Sequence, residues 1–292
     1  MINLRILILS GILLSGIGVP ATPHVGASPR PAQATASTAA GVTSRVTVLV
    51  PEDDAELVVD GDTIGNAGTS RSFETGPFAG GTTHEFTITA TWQPNTYTTM
   101  TRSKTVSFRA GEPVTVDLTI DDPDDRVRVI YVPTPADVAE AMAELAGITR
   151  DDVVYEPGCG DARITIAGIK RGASRAICID IEPERAAESR VNVRTAGLED
   201  RIDVRLGDAL DIKDLSDVTV VFLYMGDHFN LLIRPVLWRD LKVGSRIVSH
   251  RFTMGDWAPD KTISVMSDDG GVYELHLWAV TDDVKRRLAG GR

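Results

Sequence analysis

The residues of this chain best suited to chemistry fall in three short clusters between Glu156 and Asp208. The first is Glu156-Pro157-Gly158-Cys159-Gly160-Asp161, where two glycines let the backbone turn tightly and approach a ligand with no Cβ in the way. The second is Asp180, twenty residues past Gly160. A carboxylate there can accept hydrogen bonds from both hydroxyls of a ribose. The third is Gly207-Asp208, whose carboxylate can accept from an exocyclic adenine amine. Taken singly, each has a plainer reading, because a lone Asp after a strand caps the next helix and Gly-Asp is a turn signal. Together they point to a nucleotide. A dinucleotide fingerprint would need Gly at position 163, which is Arg, and no Gly-Lys-Ser/Thr follows the turn to make a P-loop. Glu156 would also repel a pyrophosphate at close range, whereas it favours a cationic group.

These clusters need strands to hold them. Residues 152–156 read as a buried strand, 163–169 as a helix, 176–180 as a strand, 184–196 as a helix and 202–206 as a third strand. Strands at 218–224 and 247–250 follow, with a helix around 231–241 between them. Ahead of all of these, Thr134-Pro135 reads as a helix start with Thr134 as the N-cap. Val138, Met142 and Leu145 give that helix its apolar stripe, and Gly147 stops it. Alternating strands and helices predict a parallel, doubly wound α/β sheet, with ligands bound beyond the carboxyl ends of its strands. The three clusters sit at three such ends. Residues 262–266 and 272–280 flank Ser267-Asp268-Asp269-Gly270-Gly271 and predict a closing antiparallel hairpin.

Tyr155-Glu156-Pro157-Gly158-Cys159-Gly160-Asp161, Ile179-Asp180-Ile181-Glu182-Pro183 and Leu206-Gly207-Asp208-Ala209 resemble the nucleotide motifs of class I S-adenosylmethionine-dependent methyltransferases, over residues 126–281. The resemblance implies a Rossmann-like seven-stranded domain and S-adenosyl-L-methionine as cofactor. More narrowly, Tyr131-Val132-Pro133-Thr134-Pro135 is similar to a group of small bacterial proteins related to mitochondrial protein-lysine methyltransferases. Carried over by position, the family places Glu156, Gly158, Gly160 and Asp161 at the methionine end, Asp180 at the ribose and Asp208 at the adenine. Tyr131 and Thr134 would close over the cofactor. A protein lysine is then the expected methyl acceptor. Ala162 stands where many members have Gly.

The acceptor side is carried by Tyr224-Met225-Gly226-Asp227-His228-Phe229-Asn230. This is not the Asp/Asn-Pro-Pro-Tyr/Phe motif of amino-methylating DNA enzymes. Tyr224 and Asn230 are the candidate catalytic residues, with Asp227 and His228 beside them, to orient or deprotonate an amine. Their plainer readings are a core aromatic (Tyr224), a helix cap (Asp227) and solvated loop residues (His228, Asn230). His250 and His276 lie on predicted strands and read as structural histidines.

The N-terminal third follows another pattern. One charge, Arg5, precedes an apolar run from Ile6 to Val19. At about 1.5 Å per residue that run falls short of the roughly 30 Å hydrocarbon core, so residues 1–27 read as a secretory signal, with an uncleaved anchor as the alternative. Residues 28–43 are a linker rich in Ala, Ser, Thr and Pro. From 44 to 121 apolar residues alternate, as in Val46, Val48 and Val50 and in Phe86, Ile88 and Ala90. That period predicts an all-β antiparallel sandwich of about six or seven strands. Val46-Thr47-Val48-Leu49-Val50, followed by Ala55-Glu56-Leu57-Val58-Val59-Asp60-Gly61, resembles the PEGA-like β modules of bacterial envelope proteins. Trp92 and Tyr97 read as contact residues or as core packing. The run Asp121-Asp122-Pro123-Asp124-Asp125 reads as a solvated linker before the second domain at 126, and residues 282–292 as a tail.

The 292 residues carry a net charge of −11, which argues against nucleic acid as a partner. No metal site is expected, and a membrane enters only through an uncleaved N-terminal segment. Export or membrane association is the expected location, with a cytoplasm-facing anchor as the alternative. The competing function is an exported nucleotide-binding or scaffold protein with a non-catalytic domain. Cys159 and Cys178 could pair in an oxidising compartment, but a bond inside the nucleotide turn is awkward, so two thiols are expected.

Overall fold

The computed structural model describes residues 41–65 and 67–290, so the signal-like segment and the linker up to residue 40 lie outside the described residues. Alternation of valine with polar residues builds β1 (Arg45–Leu49), which buries Val46 and Val48 and leaves Arg45 exposed. Then come β2 (Glu56–Val59), β3 (Asp62–Thr63), β4 (Ser70–Glu74), β5 (Thr83–Asn95), β6 (Thr98–Arg109), β7 (Val114–Asp117) and β8 (Arg126–Val129). They form a three-stranded sheet ordered β4-β1-β7 and a five-stranded sheet ordered β3-β2-β5-β6-β8. The expectation of a wholly antiparallel sandwich is corrected at one place, because β1 and β7 run parallel. The long β5–β6 hairpin turns where Asn95 Oδ1 accepts from Tyr97 N at 3.1 Å, a side chain standing in for a backbone turn.

The acidic run is solvated only in part, because Asp121 and Asp124 are exposed while Asp125 is drawn inside. Arg102 of β6 is 2% exposed and its guanidinium grips Asp125, with Nε 2.7 Å from Oδ1 and a second, shorter bond to Oδ2. It also donates to the Leu118 carbonyl at 2.6 Å and lies over the Trp92 ring at 5.3 Å. A guanidinium so deeply buried needs a bidentate carboxylate, which is why Asp125 is drawn inside. The next residues, read as the start of the second domain, form β8 and pair with β6 as an edge of the module's own sheet.

The second half follows as α1 (Ala136–Leu145), β9 (Val153–Pro157), α2 (Arg163–Arg171), β10 (Arg175–Asp180), α3 (Pro183–Thr195), β11 (Ile202–Leu206), β12 (Val220–Leu223), α4 (Asp227–Asp240), β13 (Arg246–His250), β14 (Lys261–Met266), β15 (Val272–Ala279) and α5 (Asp282–Gly290). The sheet has seven strands ordered β11-β10-β9-β12-β13-β15-β14, parallel except at β15, which is antiparallel to both neighbours. Central β9 is buried at every position, as its near-continuous apolar run requires when helices cover both faces.

Four local expectations change. Pro135, not Thr134, is the residue flanking α1, and the Thr134 hydroxyl instead bonds His250 Nδ1 at 3.0 Å. Helix α4 begins at Asp227, four residues before the expected start, so Asp227, His228 and Asn230 lie on its first turn rather than in a loop. The 282–292 segment contains α5, tied down by Lys285 Nζ donating to the carbonyls of Trp238 (2.6 Å) and Arg239 (3.1 Å). Cys159 and Cys178 form a disulfide rather than two thiols. Register explains the last, since Cys178 on β10 pairs with Glu156 on β9 and Cys159 lies just beyond that strand's end, with Cα atoms 5.5 Å apart.

One apolar cluster joins Val46, Leu57, Ile88 and Val127 of the module to Tyr155, Val221 and Phe229 of the α/β half. A second, with Val154, Ile169 and Phe222, holds the opposite face of the sheet.

Candidate active site

The carboxyl ends of β9, β10 and β11 border a shared cleft, the place where a parallel sheet binds its ligand. Tyr131, Thr134, Glu156, Gly158, Asp161, Asp180, Asp208 and Tyr224 all line it; Gly160 and Asn230 do not. Sequence alone could place these residues at strand ends, and the fold brings the ends together.

The turn after β9 runs through three left-handed residues, Gly158 (φ +63°), Gly160 (φ +58°) and Ala162 (φ +65°). A Cβ on Gly158 would lie 1.9 Å from Met225 Sδ, and one on Gly160 would lie 2.3 Å from the Tyr131 ring. Ala162 accepts the same conformation at a cost of about 1–2 kcal/mol, strain of the kind stored at functional turns. Asp180 anchors this turn. Its Oδ2 accepts from Gly160 N at 2.8 Å and its Oδ1 from Glu182 N at 2.9 Å. A carboxylate has about four lone-pair directions, so two remain for a ligand. Burial raises its pKa above the usual carboxylate value, although both backbone donors oppose that rise. The disulfide adds a covalent tie between the same turn and the same strand.

Glu156 lies at the floor, 4% exposed, with Oε2 accepting from Thr165 N at 2.7 Å and from the Thr165 hydroxyl. Burial pushes its pKa up to about 8. Asp161 is also partly buried, but Arg163 pairs with it at 2.6 Å and holds its carboxyl below the usual range. Arg163 reaches on to the Thr134 carbonyl at 2.9 Å, and Arg185 lies over the Tyr131 ring at 4.8 Å. Asp208 accepts from Leu210 N at 2.9 Å through one oxygen and lies 3.6 Å from Arg126 through the other.

Arg126 and Arg128 were not picked out from the sequence. They face outward from β8, where Arg128 pairs with Glu182 at 3.1 Å and Arg126 also reaches Asp211 at 3.2 Å. Their signal was the alternation Arg126-Val127-Arg128-Val129, a half-buried strand whose polar face must meet something. It meets the carboxylates at the ends of β10 and β11.

On the acceptor side Tyr224 stacks on His250 at 4.0 Å between ring centroids, and Phe252 lies 5.7 Å from Tyr224. Asn230 is fully buried; its Nδ2 donates to the Thr253 carbonyl at 3.1 Å while Oδ1 has no protein partner. Asp227 accepts from Thr253 N at 2.9 Å. Of the two histidines read as structural, His276 is bonded at both nitrogens, to Thr262 and to the Arg251 carbonyl. His250 is bonded only at Nδ1, and its buried Nε2 has no partner. Among the described residues no group of three or more His, Cys, Asp or Glu is placed to hold a metal ion.

The chemistry of this donor set fits S-adenosyl-L-methionine. Asp180 and Asp208 leave acceptors at adjacent strand ends for ribose and adenine. Ile181 and Ala209 line the cleft between them, and acidic groups around the turn suit a molecule with a sulfonium and an ammonium. Fold and site together define a class I, S-adenosylmethionine-dependent methyltransferase.

Comparison with known proteins agrees. The family model described as the ANTKMT methyltransferase domain matches residues 156–261. A protein-lysine N-methyltransferase of Saccharolobus islandicus (strain REY15A) is 35% identical over 154 residues, 52% of this chain and 94% of that protein. The chain belongs to the same methyltransferase family as that enzyme. The adenine nucleotide translocase lysine N-methyltransferase of Mus musculus is 26% identical over 52% of this chain and 65% of its own length. A crystal structure of an RNA methyltransferase from Salinibacter ruber, in complex with S-adenosyl-L-homocysteine, is 37% identical over 52% of this chain and 95% of that one, with a TM-score of 0.48.

Proposed function

We propose that this methyltransferase transfers a methyl group to the side-chain amine of lysine in a protein, and that it works in an oxidising compartment of the cell envelope. The observation that carries the chemistry is the convergence of Glu156, Asp180 and Asp208 on one cleft beside the Tyr224 aromatic cluster. The acceptor class rests on the names of the related S. islandicus and mouse enzymes.

When bound, the cofactor supplies an electrophilic methyl group on sulfur. Asp180 and Asp208 hold the ribose and adenine, and the turn at Gly158, Gly160 and Asp161 cradles the methionine end against Glu156. Tyr131 and Thr134 cover it. Tyr224 would orient the amine from the cleft wall, and Asn230, buried behind it, would act only by positioning the Thr253 segment. Transfer would leave the cofactor as a neutral thioether, and the methylated amine would give up one proton to solvent. Alignment and exclusion of water supply most of the acceleration.

The envelope location is supported by the signal-like N-terminus and by the Cys159–Cys178 disulfide, because such bonds persist outside a reducing cytosol. The N-terminal module is assigned to the PEGA-like class on its strand-loop-strand Val-Asp-Gly pattern. Calorimetry on the full chain tests the cofactor, with binding expected for the unmutated protein. Labelled cofactor with envelope extract, followed by mass spectrometry of the labelled residue, tests the acceptor. A label found on RNA or on a small molecule, with none on lysine, removes the lysine reading. A C-terminal reporter in fractionated cells tests the location, and a reporter active only in the cytoplasm removes it.

A further inference from the structure

The β5–β6 hairpin of the module reaches the acceptor side of the cleft. At its tip Tyr97, half-buried, lies 5.5 Å from Phe252, which is 5.7 Å from Tyr224. Three aromatic rings thus lead from the module to the cleft wall, and the outermost comes from a residue more than a hundred positions away in sequence. Backbone contacts hold the tip in place. Ile130 N donates to the Tyr97 carbonyl at 3.0 Å, tying the tip to the segment that continues into Tyr131 and Thr134. A Cβ on Gly226 of the acceptor loop would lie 3.6 Å from Tyr97 Cε2 and 3.5 Å from Thr98 Oγ1, so loop and tip are in direct contact. The Thr98 hydroxyl, buried there, has no protein partner, and the same is true of Asn230 Oδ1 on the α4 turn that follows the loop.

We propose that the module completes the acceptor channel, with Tyr97, Tyr224 and Phe252 forming an aromatic lining that receives the alkylammonium end of the acceptor lysine. This deepens the lysine reading above and rests on it. An ammonium within about 6 Å of an aromatic face is attracted by the ring quadrupole, and the attraction strengthens as water is excluded. Aliphatic side chains of the same size would bury the lysine stem but would not favour its charged end. On this view the module is a part of the acceptor site, and the two halves act as one enzyme.

The test uses the full chain with labelled S-adenosyl-L-methionine and poly-L-lysine as the acceptor probe. Tyr97→Leu keeps apolar bulk at the tip and removes the π-face; Tyr97→Phe keeps the face. Tyr97→Leu is expected to raise KM for poly-L-lysine by about thirtyfold, the size of a desolvated cation–π contact. Its cofactor dissociation constant, by calorimetry, should stay within about twofold of the unmutated value, and Tyr97→Phe should match the unmutated protein in both. An unchanged KM in Tyr97→Leu overturns the proposal, as does an equal loss in both variants or a loss confined to cofactor binding. If the unmutated protein binds cofactor but methylates neither poly-L-lysine nor lysine in envelope proteins, the lysine reading fails first and takes this proposal with it.

Discussion

The two sides of the cleft are built in different ways. On the cofactor side every important carboxylate is fixed by its own neighbourhood: Asp180 by two backbone N–H groups, Glu156 by Thr165, and Asp208 by Leu210. A disulfide reinforces the turn. On the acceptor side the aromatic rings come from the β5–β6 hairpin, the end of β12 and the end of β13, and Thr98, Asn230, Ser249 and His250 each keep a buried polar atom without a protein partner. The cofactor side is therefore organised before it binds, at a low ordering cost. The acceptor side is held by ring packing between distant segments and keeps polar atoms that no protein group pairs.

Removing the anchor of the organised side is expected to have the largest effect. Asp180→Ala takes away the acceptor of both Gly160 N and Glu182 N as well as the ribose contact. At about 1.5–3 kcal/mol for each hydrogen bond to a charged group, cofactor affinity should fall by about a hundredfold or more. Calorimetry reads this directly. A loss of less than tenfold would show that the turn holds itself without Asp180.

Opening the disulfide comes next. Its sequence separation is 19 residues, and a loop of that size contributes roughly 3 kcal/mol of stability. For a protein of this length that corresponds to a fall in Tm of roughly 6–12 °C on reduction or in Cys159→Ser/Cys178→Ser. Scanning calorimetry with and without reductant checks it. Two free thiols in the unreduced, denatured protein would rule out the bond.

This bond also marks where sequence stopped being sufficient. The strand-end carboxylates and glycines were legible because a parallel sheet puts its ligand at one edge and each motif is local. Cys159 and Cys178 were visible in those motifs, yet whether they bond depends on the β9–β10 register, which no single strand encodes. Helix α4 was placed four residues late, although Asp227 was read as a helix cap. The backbone uses Gly226 at φ +88° to enter the helix directly. The acidic run departs from its solvated reading only at Asp125, for a physical reason: charge predicts solvation only while no counter-charge is available, and Arg102 lies some twenty residues earlier in the chain. The acceptor side was the least legible. Its residues are ordinary one by one and acquire meaning only through packing between distant segments.

Glu156 permits a sharper test of how the organised side is arranged. With its pKa at about 8 against an ordinary 4.5, the folded protein keeps a proton that the unfolded chain releases. Ligand-free stability should therefore fall as pH rises from about 4.5 to about 8 and level off above that. Glu156→Gln, which cannot ionise, should flatten this slope in Tm measured from pH 5 to 9. A slope that persists in the variant would locate the proton elsewhere.

The smallest effect is expected at His250, which lies on the border between the two sides. Its Nδ1 is bonded to Thr134, which lines the cofactor cleft, while its ring face stacks on Tyr224 of the acceptor wall. Burial, helped by nearby Arg251, pulls its pKa down to about 4 from 6.5. The unfolded chain therefore takes up a proton that the folded protein refuses, and His250 costs stability as pH falls from about 6.5 toward 4. His250→Asn keeps a polar atom for Thr134 and loses both the titration and the stack. Its Tm should no longer decline through that acid range on account of this ring. Loss of the stack, worth about 0.5–1.5 kcal/mol, should raise the acceptor KM by about two- to tenfold with little change in cofactor affinity. The opposite result, a weakened cofactor with an unchanged acceptor KM, would assign His250 to the organised side through Thr134. The boundary between the two sides would then run through the Tyr224–His250 stack.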